Sequence, residues 1–380
     1  MQIRKAFKFE LMPNGAQIRK MKQFCGCSRF VFNRALAHQN EQHEADKLFK
    51  FSYTKMTALL PEWKKELIWL KDCHSQVLQQ SLKDLESAFK NFFAKRADFP
   101  KFKKKGEKDR FRFPQGCKLE QGNARIWLPK IGWVRYRNSR QVMGAVKNVT
   151  VSQKCGKWFV SVQTEFEQEI PQPKGGEIGI DMGIAKFATL SNGQFFAPIN
   201  VFKTLKGKLA KLQKQFKHKT KFSNNWQKLK FKVSKLHHKI ANVRKNFLHQ
   251  TTNTISQNHA IVYVEDLQVA NMAKSAKGNA EQHGKNVKQK SGLNRVILDQ
   301  SWYEFRRQLD YKLLWRGGYL LAVPPQNTSR CCPACNHTAK ENRITQEKFE
   351  CVQCGYSNNA DVVGAINVLK RGQAILAAQQ

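Results

Sequence analysis

Acidic side chains are scarce in this chain: 28 Asp and Glu stand against 67 Lys and Arg, a formal net charge of +39 over 380 residues. A compact protein so charged repels itself unless a polyanion neutralises it. Long apolar runs are missing as well. No stretch of about 18 apolar residues is there to span a bilayer, and no basic-plus-apolar leader with a cleavage site opens the chain. The expectation is a soluble, cytoplasmic protein with no membrane partner. Neither a Ser/His/Asp arrangement nor a phosphate-cradling P-loop pattern is present, which removes two common chemistries. There is no internal repeat. A disulfide framework is absent too: Cys25, Cys27, Cys73, Cys117 and Cys155 are scattered, while Cys331, Cys332, Cys335, Cys351 and Cys354 crowd together. That distribution suits a reducing compartment and one metal site.

What remains is length and basic charge. The length allows two to four compact units whose cores need no disulfides. Charge alone says nucleic acid and no more; a ribosomal-type or chromatin-type binder without catalysis fits it as well as an enzyme does.

Alternation of Ile3, Phe7, Phe9 and Leu11 predicts a half-buried first strand, ended by Pro13-Asn14-Gly15. From about 16 to 98 the period turns helical, with Leu78, Leu82, Leu85, Phe89 and Phe92 in one stripe. Short alternating runs return at 109–113, 125–128, 132–136, 146–152 and 157–165. With the first strand they predict a small barrel interrupted by a helical insertion. Residues 170–176 look like a linker, and beyond it the chain reads as α/β. The strand EIGID precedes a hairpin through Ser191-Asn192-Gly193-Gln194, for which a type I′ turn is expected. Two lysine-rich helices, striped by Leu205, Leu209 and Leu212 and by Val233, Leu236 and Ile240, pair through 217–223. A buried strand at 260–264 precedes a loop over 271–293, expected to be mobile for want of apolar side chains. A helix over 298–316 stops at Gly317-Gly318, before another buried strand at 319–323.

Two constellations carry chemistry. Cys332 and Cys335 form one C-x2-C knuckle, Cys351 and Cys354 a second, with fifteen residues between the knuckles. Four thiolates so spaced close a tetrahedral, structural Zn²⁺ site, with an iron–sulfur site as the alternative. Cys331 offers a neighbouring thiol, but only Cys332 gives the two-residue spacing to Cys335. The second constellation is acidic. Asp181 ends the strand EIGID, Glu265 ends the strand AIVYV, and Asp361 sits at the start of a final apolar helix. Strand carboxyl ends are where open α/β sheets place their sites. Any one such acid is more often a cap or a surface group; three in so basic a chain point to a shared cation, Mg²⁺ or Mn²⁺. Two such ions about 4 Å apart activate a water and stabilise the leaving 3′ oxygen of a phosphodiester. Asp266 reads as a cap.

With these two constellations interleaved, the chain resembles TnpB, the RNA-guided endonuclease encoded by a large group of bacterial insertion sequences. The likeness is carried by KAFKFELMPN, SQVLQQSLKDLESAFKNFF followed by FPKFKKK, IGIDMGIAKFATLSNG, VYVEDLQVANM, SWYEFRRQLDYK, TSRCCPAC and CVQCGYSNNADVVGAINVL. Type V CRISPR effectors share the nuclease domain. The resemblance implies a mixed fold: an RNase H-like RuvC nuclease domain over 173–325 and 357–372, with a zinc module at 326–356 inserted before its last helix. It also implies a wedge β-barrel over 1–15 and 106–172, interrupted by an all-α recognition bundle at 16–105, and leaves 373–380 as a tail. It implies Asp181, Glu265 and Asp361 as the catalytic triad, one structural Zn²⁺ and two Mg²⁺ or Mn²⁺ ions. The partners it implies are one guide RNA per protein, derived from the element's end, and double-stranded target DNA bearing a short transposon-adjacent motif, met in the bacterial nucleoid. Gly364 departs from the family, where an Asn-Ala pair is commoner. A catalytically inactive RNA-guided regulator and a transposase acting on element ends remain as alternatives.

Base pairing supplies most sequence information in such a system, so the protein reads a short duplex motif. Gln76 and Gln80 lie one helical turn apart with Tyr53 and Thr54 near in sequence, a set able to meet adenine edges; a solvated helix face is the plainer account. The run containing Lys103, Lys104 and Lys105 is read as a phosphate contact, and Arg330 as either approaching the scissile phosphate or decorating the zinc loop.

Overall fold

The computed structural model describes residues 1–279 and 281–379, which divide into two compact units, Met1–Gln168 and Glu169–Gln380. The first unit opens with β1 (Gln2–Met12) and α1 (Gly15–Ala45). Asn14 makes that junction: its side chain accepts from Gln17 N at 2.9 Å while the Gln17 amide oxygen accepts from Asn14 N at 3.1 Å, a reciprocal cap. Next come α2 (Tyr53–Ala58), α3 (Leu60–Glu66) and α4 (Ser75–Phe93). Leu78, Leu82, Leu85 and Phe89 of α4 are buried, as their spacing predicts. Six strands follow: β2 (Arg110–Phe113), β3 (Lys118–Glu120), β4 (Arg125–Leu128), β5 (Gly132–Tyr136), β6 (Ala145–Lys154) and β7 (Lys157–Glu167).

With β1 they form one antiparallel sheet in the order β2-β6-β7-β1-β5-β4-β3. β1 thus lies at its centre, paired with β7 from Gln2↔Glu167 to Leu11↔Trp158. Ile3, Phe7, Phe9 and Leu11 face the core as the alternation predicts. The expected barrel is corrected in one respect: among the described residues β2 and β3 are sheet edges, and their pairing does not close the ring. The helices cover the inner face instead, so that Met21, Phe24 and Val31 of α1 share one core with Phe111, Phe113 and Val160.

The second unit is built on β8 (Glu177–Asp181), β9 (Ala188–Leu190) and β10 (Phe195–Phe196), then α5 (Val201–Lys214), α6 (Asn224–Asn258) and β11 (Ile261–Glu265). It continues with α7 (Val269–Met272), α8 (Val287–Gln300), α9 (Trp302–Leu314) and β12 (Tyr319–Val323). The hairpin of β13 (Lys348–Glu350) and β14 (Ser357–Asn359), with the second cysteine knuckle in its turn, leads into α10 (Ala360–Ala377). The sheet order is β10-β9-β8-β11-β12, with β11 parallel to both neighbours. α5 and α6 pair as the stripes predict, around Leu209, Leu236 and Ile240.

Three expectations are revised here. The β9–β10 hairpin is not a type I′ turn, since Gly193 has φ +89° while Asn192 is not left-handed. Gly193 N donates to Leu190 O at 2.9 Å and Leu190 N to Gln194 O at 2.8 Å, a three-residue loop whose glycine takes the left-handed bulge. The loop over 271–293 is partly helical, because α8 begins at Val287; residue 280 lies outside the described residues. Polar bonds hold this helix where apolar spacing gave no signal: Lys290 Nζ donates to Met272 O at 2.8 Å and Asn294 Nδ2 to Ala273 O at 3.0 Å. The helix expected over 298–316 is two helices, broken at Ser301 with φ +59°. α9 then ends as predicted, with Gly317 left-handed at φ +79° and Gly318 N donating to Leu313 O at 3.0 Å.

Candidate active site and metal centre

β8 and β11 run parallel with Ile180 opposite Val264, so Asp181 and Glu265, next on each strand, emerge at the same carboxyl end of the sheet. α10 lies against β8 because Gly179 has no side chain: a Cβ there would sit 2.2 Å from the Ala365 carbonyl oxygen. Asp361 rides in the first turn of α10, where the Asn359 side chain accepts from Asp361 N at 3.1 Å and Val362 N at 3.4 Å. Gly364 carries that helix so close to Asp181 that a Cβ would lie 3.2 Å from its Cγ and Oδ2. The glycine that departs from the family pattern therefore leaves Asp181 its space.

The electrostatics tie the three acids together. Burial, then the carboxylates of Glu265 and Asp361, push the Asp181 carboxyl up to about 7, against an opposing pull from Arg343. Burial raises Glu265 as well, offset by the Thr328 hydroxyl, which donates to Glu265 Oε1 at 2.6 Å, and by Arg371. Asp361 Oδ2 lies 3.5 Å from Lys186 Nζ and its Oδ1 4.0 Å from Arg343 Nη2. Asp266 turns to Arg306, at 2.5 Å. An all-oxygen donor set of this kind fits Mg²⁺ or Mn²⁺.

The cysteines are gathered more tightly. Among the described residues, the four thiols of Cys332, Cys335, Cys351 and Cys354 are the one group of three or more candidate ligands whose donor atoms all lie within 4.8 Å. Cys332 Sγ is 3.6 Å from Cys354 Sγ and Cys335 Sγ 3.5 Å from Cys351 Sγ. Thiolates at about 2.3 Å from a tetrahedral Zn²⁺ stand roughly 3.8 Å apart, so the cluster fits one such ion. Cys331 turns away, its thiol 3.6 Å from the Asn336 carbonyl oxygen.

Several residues at these centres escaped the sequence reading. Fully buried Asn342 bridges the two knuckles: its amide nitrogen donates to Arg330 O and His337 O at 2.9 and 3.0 Å, and its oxygen accepts from Val352 N at 3.0 Å. Asn367 donates to Thr328 O and Cys331 O, both at 2.7 Å, fixing the zinc module's entry to α10. Thr328, Lys186 and Arg343 complete the surroundings of the acids. Thr328 inside TSRCCPAC, Lys186 inside IGIDMGIAKFATLSNG and Asn367 inside CVQCGYSNNADVVGAINVL stood in motifs that could have drawn notice, whereas Asn342 and Arg343 did not. A hydrogen bond to a charged group contributes about 1.5–3 kcal/mol. Thr328→Val is accordingly expected to slow target cleavage by roughly ten- to a hundredfold at unchanged RNA content, with Thr328→Ser near wild type; equal rates for all three would remove the hydroxyl from the site.

The remaining candidates are placed as follows. Gln76 and Gln80 are half-buried on α4 and Thr54 is exposed, while Tyr53 packs on the core beneath Lys83, whose Nζ is 5.3 Å from its ring centre. Lys104 and Lys105 are exposed, but Lys103 is held inward. Its Nζ is 3.7 Å from the Phe32 ring centre and its backbone is clamped by the Asn33 side chain; burial lowers its pKa to about 8. Arg330 is exposed, and it is Arg343 and Lys186 that approach Asp361.

A family model described as "Probable transposase" matches residues 144–276, one described as "Cas12f1-like, TNB domain" matches 302–368, and one described as "Helix-turn-helix domain" matches 1–47. The chain is 60% identical over 375 residues to "Putative RNA-guided DNA endonuclease InsQ" of Escherichia coli (strain K12), covering 98% of this chain and 93% of that one. It is 30% identical over 380 residues to a "Putative RNA-guided DNA endonuclease" of Streptomyces pristinaespiralis, covering 98% and 90%. Among solved structures, the "Cryo-EM structure of the Cas12f1-sgRNA-target DNA complex" superposes with a TM-score of 0.58 at 12% identity, over 97% of this chain and 98% of that one, a likeness of fold. By sequence identity across nearly its whole length, the chain belongs to the TnpB family that its motifs resemble.

Proposed function

We propose that this chain is an RNA-guided DNA endonuclease that cuts target DNA at Asp181, Glu265 and Asp361. The supporting observation is that Asp181 and Glu265 leave adjacent parallel strands at the same end of the sheet, with Asp361 near enough to act on the Asp181 carboxyl, inside a chain of net charge +39. Its similarity to proteins named as RNA-guided DNA endonucleases supplies the substrate class. The acids would hold Mg²⁺ or Mn²⁺, which when bound activates water and offsets charge at the phosphodiester. Thr328 fixes the Glu265 carboxylate by its hydrogen bond, while Lys186 and Arg343 place positive charge beside Asp361, where they would meet a phosphate. The four-thiol module would hold one Zn²⁺ in a closed site and acts by position, carrying Thr328 to Glu265 and feeding α10.

Division of labour follows from the same reading. The RuvC-type nuclease would occupy 173–325 and 357–372 with the zinc module at 326–356, and the first unit, as wedge sheet and recognition helices, would hold RNA and read a short motif beside the target. Tyr53, Thr54, Gln76 and Gln80 are the proposed readers, and Lys104 and Lys105 the proposed phosphate contacts. Among the described residues no helix is long and apolar enough to cross a membrane, in keeping with action on chromosomal DNA in the cytoplasm. The test is to express the protein with its native flanking DNA, sequence the RNA that co-purifies, and cut a target library with randomised flanks. One RNA species and one enriched flank are expected; cleavage without RNA would contradict the reading.

The acids also set a pH dependence. An Asp181 carboxyl raised to about 7 keeps a proton that the unfolded chain has already lost, so without an ion this group lowers stability as pH rises from the ordinary carboxylate range to about 7. An ion must displace that proton. Mn²⁺ is therefore expected to raise the melting temperature of the zinc-loaded protein more at pH 8 than at pH 6, with half-saturation rising up to about tenfold per unit as pH falls through that window. A shift of equal size at both values would contradict it.

A further inference from the structure

The helical part of the first unit leaves a cleft of about 600 Å³ between the C-terminal end of α1, the segment before α2 and the last turns of α4. Its wall is a run of phenylalanines. Phe51 stacks on Phe89 at 5.1 Å and 27°, Phe89 on Phe93 at 6.3 Å and 23°, and Phe99 stands edge-on to Phe89 at 5.7 Å. Phe93 is 73% exposed and Phe99 44%. The rim is basic, with His43, Lys47, Lys50 and Lys90; Glu86 is paired with Lys90 at 3.1 Å.

The third feature is a buried acceptor. Gln39 lines the cleft, is 5% exposed, and donates from Nε2 to Phe49 O at 3.3 Å, which fixes which end of its amide is oxygen. Its Oε1 has no hydrogen-bond partner among the described residues. This oxygen is closed to solvent in the empty cleft, so it gains a donor only as the Gln39 side chain turns toward an occupant.

These three features select one ligand chemistry. A planar aromatic group stacks on exposed phenylalanine rings, an edge N–H suits the Gln39 oxygen, and flanking negative charge suits the lysines. An unpaired nucleotide supplies all three at once, and bases splayed from a single strand are recognised in this manner. A lipid surface offers no planar ring to stack on the phenylalanines, and a second copy of so basic a chain would set lysines against lysines. Exposed aromatic surface also needs lasting cover; a bound guide provides it, whereas target DNA is met in passing. Resting on the RNA-guided reading above, we propose that this cleft takes one unpaired nucleobase of the guide RNA, stacked on Phe93 and Phe99 and hydrogen-bonded to Gln39, with its phosphates beside Lys47 and Lys50.

The test uses the full chain expressed without its flanking DNA, and a single-stranded RNA octamer carrying 2-aminopurine, whose fluorescence falls on stacking. Quenching is expected with wild type and Phe93→Tyr. The pair Phe93→Ala with Phe99→Ala, at exposed positions, should abolish quenching and weaken binding roughly 5- to 150-fold. The same double variant made with flanking DNA should retain less RNA and still cleave with what it holds. Unchanged binding and quenching in the double variant would overturn the proposal, as would stronger quenching of the matching DNA octamer or a wild-type dimer that the double variant dissolves. If wild type made with its flanking DNA holds RNA and cleaves while the double variant behaves identically, the cleft assignment alone fails. If wild type holds no RNA, the functional reading fails with it.

Discussion

Asp181→Ala is expected to keep the co-purifying RNA at wild-type stoichiometry and to lower target cleavage by at least about a hundred- to a thousandfold, the scale on which removing one charge-stabilising group acts. Asp181 is where the other acids converge: burial and the carboxylates of Glu265 and Asp361 all act on it, and α10 passes it at a glycine. Removing it takes away a proposed ligand and relieves a repulsion together. The apo variant should therefore be no less stable than wild type, while its stabilisation by Mn²⁺ disappears. Cleavage assays on a plasmid target with RNA quantified in the same preparation separate this from misfolding. Equal cutting by both proteins would remove the assigned active site. Loss of RNA together with cutting would show that the substitution acted on the fold.

Cys351→Ser is expected to act by the opposite route, on structure first. The Cys351 thiol is buried with Cys332, Phe349, Ala360 and Val363 in one small core. Ala360 N donates to Glu347 O at 2.8 Å, so the hairpin that carries Cys351 also sets the first turn of α10 and with it Asp361. Structural zinc contributes on the order of 10 kcal/mol to folding in small metal modules. The variant should hold well under one zinc per chain, give lower folded yield and lose cleavage in proportion. Cys331→Ser, changing a thiol turned from the cluster, should keep both zinc and activity. Full zinc content in Cys351→Ser, or its loss in Cys331→Ser, would reassign the ligands.

Much of this was legible because periodicity and spacing are local. The alternation of Ile3, Phe7, Phe9 and Leu11 shows a strand with one buried face, though not that β1 would become the centre of a seven-stranded sheet, which β7 decides from more than 140 residues away. The two knuckles declared themselves by spacing. Asp181 and Glu265 were marked by position at strand ends, yet their meeting depends on the parallel register of β8 and β11, and that of Asp361 on the close seat of α10 over Gly179. What stayed hidden is polar and long-range. Thr328 reaches Glu265 across 63 residues, Lys186 lies beside Asp361, and α8 is held by lysine and asparagine bonds to carbonyls, none of which leaves a periodic trace. The type I′ expectation failed for a related reason: Asn-Gly permits several turns, and the strand register selected the one with a glycine bulge.

The most direct measurement is an anomalous difference map from crystals of the zinc-loaded protein soaked in Mn²⁺ near pH 8, with data collected on both sides of the manganese edge. Manganese density bounded by carboxylate oxygens of residues 181, 265 and 361 is the expected result. Density absent there while the zinc peak is strong, or any one of those three carboxylates pointing away from the ion, would contradict it.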